Sequence, residues 1–152
     1  MMRGAIAFLA GTLLTVLTAC AARPFELPAH LPNGNVTPGA PPYEVGLASY
    51  YHDSLAGNLT ANGEIYNPTT VSAAHRTLPF GTVVDVVRRN GRAVRLRVND
   101  RGPFVDGRII DLSRQAATLL GSLQAGVVEV ALFIVYIPPI PERVRHDGAS
   151  AR

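Results

Sequence analysis

The stretch "TVVDVVRRNGRAVRLRVNDRGPF", residues 82–104, predicts a β-hairpin that runs into a rigid polar turn. Two apolar runs, 82–88 and 93–98, flank Asn90-Gly91, a pair that supplies the positive φ angles of a tight hairpin. In the second run, valines and a leucine alternate with arginines, which is typical of a strand with one buried face. We therefore expect a half-buried strand that ends at the polar turn.

Further short strands are predicted on either side of this hairpin. Residues 45–51, 108–111 and 127–137 are apolar runs of strand length. The run 127–137 is apolar on both faces apart from Glu129, which predicts a central strand. Turns rich in Gly and Pro separate these runs, as in small all-β domains.

One helix is predicted before the last strand. Ser113 can cap its start, and Gly121 can end it. Its apolar face is predicted to consist of Leu112, Ala116, Leu119 and Leu120. Several short strands with a single helix indicate an all-β domain that closes into a small barrel.

The two ends of the chain differ from the middle. An early arginine followed by apolar residues predicts a signal peptide, and Leu17-Thr18-Ala19-Cys20 resembles the bacterial lipid-attachment site. Cys20, the single cysteine, is therefore the predicted lipidation site, and an ordinary signal peptide with an incidental cysteine is the alternative. The predicted segments are a lipoprotein signal peptide (1–19), a Pro- and Gly-rich tether (20–43), the folded domain (44–137) and a flexible tail (138–152).

The composition excludes some classes of protein. Of the 152 residues, 47% are hydrophobic and 16% charged, which predicts a single folded domain. The net charge is +3, and all 14 basic residues are arginines. Their densest cluster surrounds the predicted hairpin turn without interleaved aromatic residues, so we predict no nucleic-acid partner. We also predict no cofactor.

Three polar residues beside turns suit acid–base chemistry. Asp100 ends the hairpin strand, and Gly102-Pro103 fixes the backbone next to it. Glu64 follows an Asn-Gly turn, and His75 precedes a Pro-Phe-Gly turn. If these loops converge, two carboxyl groups in one cleft separate their titrations, and one can act as a general acid.

Two alternatives use the same residues differently. In the first, Asp100 merely accepts backbone hydrogen bonds in an Asx-turn, and Arg101 pairs with a nearby acid. In the second, His75, Glu64 and Asp100 bind zinc. We predict no metal, and we interpret Asp106 and Asp111 as turn and helix-entry residues.

Five motifs of the folded domain together resemble the rare lipoprotein A family. They are "GLASYY" (46–51), "TANGE" (60–64), "AAHRTLPFGT" (73–82), "VNDRGPF" (98–104) and "GRIIDLSRQAATLLG" (107–121). The resemblance implies a six-stranded double-psi β-barrel, a fold shared with expansins. It also implies a lytic transglycosylase, which cleaves peptidoglycan between N-acetylmuramic acid and N-acetylglucosamine without water and leaves a 1,6-anhydro sugar.

The same resemblance implies roles for individual residues. Asp100 is the implied acid/base, with Glu64 and His75 as the other catalytic groups. The residues implied to bind the sugar chain are Ser49, Tyr51, Thr60, Asn67 and Arg101. Asn67 stands where many relatives have Asp.

Peptidoglycan glycan strands are therefore the expected partner, together with the membrane through Cys20 and proteins of cell division or wall synthesis. By resemblance, Ala21 after the cysteine favours the periplasmic face of the outer membrane of a Gram-negative bacterium. Many relatives carry a C-terminal peptidoglycan-binding SPOR domain, and we predict none after residue 138. The alternative function is a non-catalytic, expansin-like lipoprotein that binds the wall.

Overall fold

The computed structural model describes residue 25 and residues 40–139 of the chain. The strands are β1 (Glu44–Tyr50), β2 (Ser72–His75), β3 (Val83–Arg88), β4 (Ala93–Asp100), β5 (Arg108–Leu112) and β6 (Val128–Tyr136). One α-helix, α1, covers Arg114–Leu120, and a 3-10 turn covers Asp53–Leu55. The strands close into a barrel in the order β1-β5-β2-β4-β3-β6, which confirms the predicted six-stranded barrel.

The quoted hairpin forms β3 and β4, as predicted. The two strands pair antiparallel, from Val83 opposite Arg97 to Val87 opposite Ala93. Gly91 takes a φ of 85° in the connecting turn. β4 continues beyond the predicted end at residue 98 and reaches Asp100. We call the turn side of this strand the hairpin end of the barrel and the other side the Asp100 end.

Parallel pairing brings distant segments of the chain to the Asp100 end. β1 pairs parallel with β5, and β2 pairs parallel with β4. Because β2 lies between β4 and β5, Ala74 pairs with Asp100 on one side and with Asp111 on the other. Residues that are far apart in the sequence therefore meet around the end of β2.

The sequence pattern gives no strand at Ser72–His75, and the expected loop around His75 is therefore wrong. Alanine has a low preference for strands, and four residues are too few to show an alternating pattern. All four residues of β2 are buried in the structure. Burial and pairing with two neighbouring strands stabilise β2, and neither is visible in the local sequence.

Helix α1 packs against the hydrophobic core that the strands enclose, which we call the main core. Its cap is the predicted one, since Ser113 Oγ accepts the N–H of Ala116 and Gly121 ends the helix with a φ of 69°. The buried residues of α1 are Ala116, Ala117 and Leu120. Leu119 is 52% exposed, so its predicted place on the apolar face is wrong. Successive helix residues turn by about 100°, and a face centred on the two alanines leaves Leu119 outside it.

A second apolar cluster lies on the outer surface of the barrel. We call it the outer patch, and it consists of Val87, Ala93, Ala131 and Phe133. Phe25, from the predicted tether, packs against it, and the Arg89 guanidinium carbon lies 4.8 Å from the centre of the Phe25 ring. This contact explains why β6 is apolar on both faces: one faces the main core and the other lies beneath Phe25.

The other predicted segments lie outside the described residues. They are the signal peptide with Cys20, the remainder of the tether up to residue 39, and the tail from residue 140. Within the described part of the chain, no helix is long and apolar enough to cross a membrane.

Candidate active site

Asp100 lies at the rim of the barrel with its carboxyl group held by three donors. Tyr51 Oη donates to Asp100 Oδ2 at 2.7 Å. The backbone N–H groups of Ala61 and Arg101 both donate to Oδ1, each at 2.8 Å. The Arg101 N–H belongs to the next residue, whereas an Asx-turn uses the N–H two residues on, so this bond is not that of the Asx-turn alternative. The other two donors come from distant segments and fix the carboxyl group in one orientation.

Glu64 lies in the loop that supplies the Ala61 donor. Its carboxylate forms a bidentate ion pair with Arg97, in which Nη1 lies 2.8 Å from Oε1 and Nη2 lies 2.7 Å from Oε2. Oε2 also accepts a hydrogen bond from Asn99 Nδ2 at 2.9 Å. The hydrogen bonds from Arg97 and then from Asn99 lower the pKa of Glu64 to about 2. Glu64 is therefore ionised at neutral pH, with a cationic partner of its own.

Thr60 shapes this loop from within. It is buried, and its hydroxyl lies 2.7 Å from Asn62 Oδ1 and 3.0 Å from the Glu64 carbonyl oxygen. Asn62 Oδ1 also accepts the Glu64 N–H at 3.1 Å. These local bonds close the turn and bring Ala61 against Asp100.

His75 is 2% exposed at the end of β2. Its Nδ1 accepts the N–H groups of Thr77 at 3.2 Å and Leu78 at 3.1 Å, so the ring proton lies on Nε2, which donates to Glu44 Oε2 at 3.0 Å. Burial lowers the pKa of His75, which favours the neutral ring. Among the described residues, no hydrogen bond joins the imidazole to Asp100 or Glu64.

Arg101 connects the turn after His75 to Asp100. Its guanidinium carbon lies 3.7 Å from the centre of the Phe80 ring, a close cation–π contact. Its Nη1 lies 3.3 Å from the His75 carbonyl oxygen. Arg101 thus stacks on an aromatic ring, in contrast to the pairing with an acid that the Asx-turn alternative includes.

The remaining predicted binding residues have different surroundings. Tyr51 packs edge-on against Tyr66, with ring centres 4.9 Å apart. Asn67 is exposed, and its Oδ1 caps a turn by accepting the Thr69 N–H at 2.9 Å. Ser49 is buried, and its hydroxyl donates to Asp111.

Two residues next to the site are missed by sequence reasoning. Asp111 lies within β5 and accepts bonds from Ser49 and Arg108, so its interpretation as a helix-entry residue is wrong. Arg76 donates to the carbonyl oxygens of Pro103 at 2.7 Å and Val105 at 3.0 Å, and also to that of Arg108. It fixes the loop that follows Asp100. A charged residue between Ile110 and Leu112 in an apolar run is the signal for Asp111, whereas nothing in the sequence indicates the partners of Arg76.

No group of three or more His, Cys, Asp or Glu residues within the described part of the chain is placed to hold a metal ion. The three residues of the zinc alternative are engaged separately, with His75 on Glu44, Glu64 on Arg97 and Asp100 on Tyr51.

A family model described as "Lytic transglycolase" matches residues 43–132, from the start of the barrel to the middle of β6. The chain belongs to this family. The chain is 55% identical over 91 residues to "Probable endolytic peptidoglycan transglycosylase RlpA" of Synechocystis, covering 59% of the chain and 28% of the relative. It is 50% identical over 93 residues to "Endolytic peptidoglycan transglycosylase RlpA" of Pasteurella multocida, covering 60% of the chain and 32% of that protein. The chain therefore spans about a third of the length of these relatives.

Two solved structures share the fold of this chain. The Streptomyces papain inhibitor superposes with a TM-score of 0.51 at 29% identity, covering 63% of this chain and 98% of the inhibitor. An expansin of Clavibacter michiganensis superposes with a TM-score of 0.50 at 23% identity, covering 64% of this chain and 52% of the expansin. Because an inhibitor and an expansin share this fold, the fold alone does not indicate the function of the chain. The function must therefore be argued from the residues of the site.

Proposed function

We propose that this protein cleaves peptidoglycan glycan strands between N-acetylmuramic acid and N-acetylglucosamine without water. The observation that carries the proposal is Asp100, whose carboxyl group is oriented at the barrel rim by Tyr51 and two backbone N–H groups. The names of relatives at 50% identity or more over the barrel support the same reaction.

Asp100 acts twice in this reaction. Its carboxyl group first donates a proton to the glycosidic oxygen, and the bond from that oxygen to C1 of the muramic acid breaks with the electron pair on the oxygen. The carboxylate then takes the proton of the 6-hydroxyl of the same sugar as O6 bonds to C1. The product carries a 1,6-anhydro ring, Asp100 regains its proton, and no water is consumed.

Tyr51 and the two backbone donors keep the carboxyl group in position through both steps. Burial and the hydrogen bond to Asp100 raise the pKa of the Tyr51 phenol, so it stays protonated and remains a donor. A hydrogen-bonded rigid frame of this kind holds an acid close to its productive geometry.

Glu64 and His75 support Asp100 in different ways. The Glu64 carboxylate is 43% exposed and ionised, and it supplies an acceptor for sugar hydroxyl and amide groups at the Asp100 end of the barrel. His75 is a positioning residue, because its ring fixes the turn at Thr77 and Leu78 and its carbonyl oxygen accepts from Arg101. Arg101 and Asn67 offer donors to the glycan, while buried Ser49 and Thr60 shape the site from inside.

The same proposal includes anchoring through a lipid on Cys20, at the periplasmic face of the outer membrane. The sequence Leu17-Thr18-Ala19-Cys20 supports it. Proteins of cell division or wall synthesis are the proposed protein partners. Mass spectrometry of the full chain from bacterial membranes should find acyl chains on Cys20, and Cys20→Ser should move the protein to the soluble fraction. An unmodified Cys20 in the membrane fraction would contradict the anchor.

The catalytic proposal is tested on peptide-free glycan strands digested with the full chain. We expect new 1,6-anhydro ends with the wild type and none with Asp100→Asn. Asp106→Asn is the matched control, because Asp106 lies exposed on the next turn. Glycan that binds in a pull-down but gains no anhydro ends would favour the non-catalytic, expansin-like alternative.

A further inference from the structure

Asp111 lies close to Asp100 although the two residues belong to different strands. Ala74 of β2 pairs with Asp100 on one side and with Asp111 on the other. The two backbones are therefore two strand spacings apart, about 10 Å. The residue between them carries only a methyl group and is fully buried, so no large side chain separates the acids.

Tyr51 and Ser49 connect the two acids. The Tyr51 N–H donates to the Leu112 carbonyl oxygen at 2.9 Å, which continues the pairing of β1 with β5. Because side chains alternate along a strand, Ser49 and Tyr51 share one face. Ser49 Oγ donates to Asp111, and Tyr51 Oη donates to Asp100.

The phenol of Tyr51 lies within the electrostatic field of both carboxylates. Burial is the largest cause of its raised pKa, followed by the hydrogen bond and charge of Asp100 and then by the charge of Asp111. Asp111 therefore acts electrostatically on the group that orients Asp100.

Only one oxygen of Asp111 has a donor among the described residues. Ser49 Oγ and Arg108 Nη2, the latter at 2.6 Å, both reach Oδ1. The side chain is 13% exposed and lies in β5 between Ile110 and Leu112, which are fully buried. A structural ion pair explains the contact with Arg108, but it leaves Oδ2 without a donor in this part of the chain.

We propose that Asp111 is a further acidic residue of the glycan site, where its negative charge stabilises the positive charge that develops on the muramic acid ring. The inference rests on the function proposed above and deepens it. Charge that is fixed before the reaction favours a transition state in which the opposite charge appears. The proton transfers stay with Asp100, so Asp111 needs neither to gain nor to lose a proton.

The test compares Asp111→Asn with Arg108→Gln in the full chain, with anhydro ends measured over a range of glycan concentrations. Both variants break the ion pair, but only the first removes the negative charge. We expect Asp111→Asn to lower kcat about 100-fold with KM changed less than about threefold. Arg108→Gln should keep kcat within about threefold of the wild type, and Asp111→Glu should regain part of the loss.

Thermal unfolding of each variant separates the proposed role from a structural one. Equal losses of kcat in Asp111→Asn and Arg108→Gln, in step with lowered Tm, would overturn the inference and leave a structural ion pair. Wild-type kcat in Asp111→Asn would overturn it as well. Absence of anhydro ends with the wild type would instead overturn the proposed function, and the inference with it.

Discussion

Two charged residues at opposite ends of the β3–β4 hairpin, Arg89 and Asp100, are held in different ways. At the hairpin end, Arg89 pairs with Glu129, and Arg88 Nη1 donates to the Gly121 carbonyl oxygen at 2.7 Å. At the other end, Asp100 accepts bonds only from a phenol and two backbone N–H groups, and no salt bridge to it is found among the described residues.

This difference indicates that the Asp100 end serves the reaction and that the hairpin end serves the stability of the fold. The donors of an ion pair carry a full charge, whereas the three donors to Asp100 are uncharged and fix the orientation of its carboxyl group. Solvent-exposed pairs such as Arg89 with Glu129, each with a side chain 40% exposed, contribute little individually. We therefore expect changes at the Asp100 end to affect activity and changes at the hairpin end to affect stability only.

The largest effect is expected from Asp100→Asn, which breaks the chemistry at one end of β4. The amide cannot transfer the proton, so formation of anhydro ends should fall by roughly 1,000-fold or more. The amide oxygen still accepts the Ala61 and Arg101 N–H bonds, so the circular dichroism spectrum and Tm should change little. Substantial activity in this variant would remove Asp100 from its proposed role.

The next largest effect is expected from His75→Ala, which alters the frame of the Asp100 end. The change leaves a buried cavity and two N–H groups without their acceptor, so the free energy of unfolding should fall by about 2–4 kcal/mol. Urea unfolding measures this loss. His75→Gln, which keeps a polar side chain, should lose less stability, and equal losses would contradict the hydrogen-bonding role.

His75 also predicts how wild-type stability changes with pH. Its pKa is lowered from 6.5 in the folded state, so below pH 6.5 the unfolded chain binds more protons than the folded one. Stability should therefore fall as the pH drops from about 6.5 towards the folded-state pKa. Urea midpoints of the wild type and His75→Gln over this range check the prediction, since the variant should show a flatter profile.

A smaller effect, at the hairpin end, is expected from Phe25→Ala. The change uncovers the outer patch and removes the contact with Arg89, which should cost about 1 kcal/mol. Hydrogen exchange should become faster in β6, while the formation of anhydro ends by the folded protein stays at the wild-type rate. Leu119→Ala is the matched control, since that side chain is 52% exposed. Lost activity in Phe25→Ala with an intact fold would break the proposed separation of the two ends.

The smallest effect concerns Glu64, an acid of the site that, unlike Asp100, forms an ion pair with an arginine. Its folded-state pKa of about 2 lies below the ordinary 4.5, so the ion pair stabilises the fold above about pH 4.5 and this contribution is lost as the pH falls towards 2. Because both side chains are more than 40% exposed, solvent screening limits the gain to less than about 1 kcal/mol. Glu64→Gln should flatten the unfolding profile between pH 4.5 and 2, and an unchanged profile would contradict the prediction.

Much of the fold could be predicted because its signals are local. Asn90-Gly91 and the alternation along β4 indicate the hairpin, and Ser113 and Gly121 bound the helix, since turn and cap preferences depend on a few neighbouring residues. β2 could not be found, because its stability comes from pairing with β4 and β5. The position of Asp100 at a strand end was predictable, but its donors Tyr51 and Ala61 come from other parts of the chain.

The sequence by itself determined the all-β class, the hairpin, the capped helix, the acid at the end of β4 and the resemblance to a known family. The tertiary structure alone decided which groups surround that acid. Glu64 forms an ion pair with Arg97, and His75 forms a hydrogen bond with Glu44. Asp111 pairs with Ala74, the residue that also pairs with Asp100. The physical reason is that turn, cap and strand preferences act over a few residues. Parallel pairing in a closed barrel joins residues whose separation along the chain carries no signal of their contact.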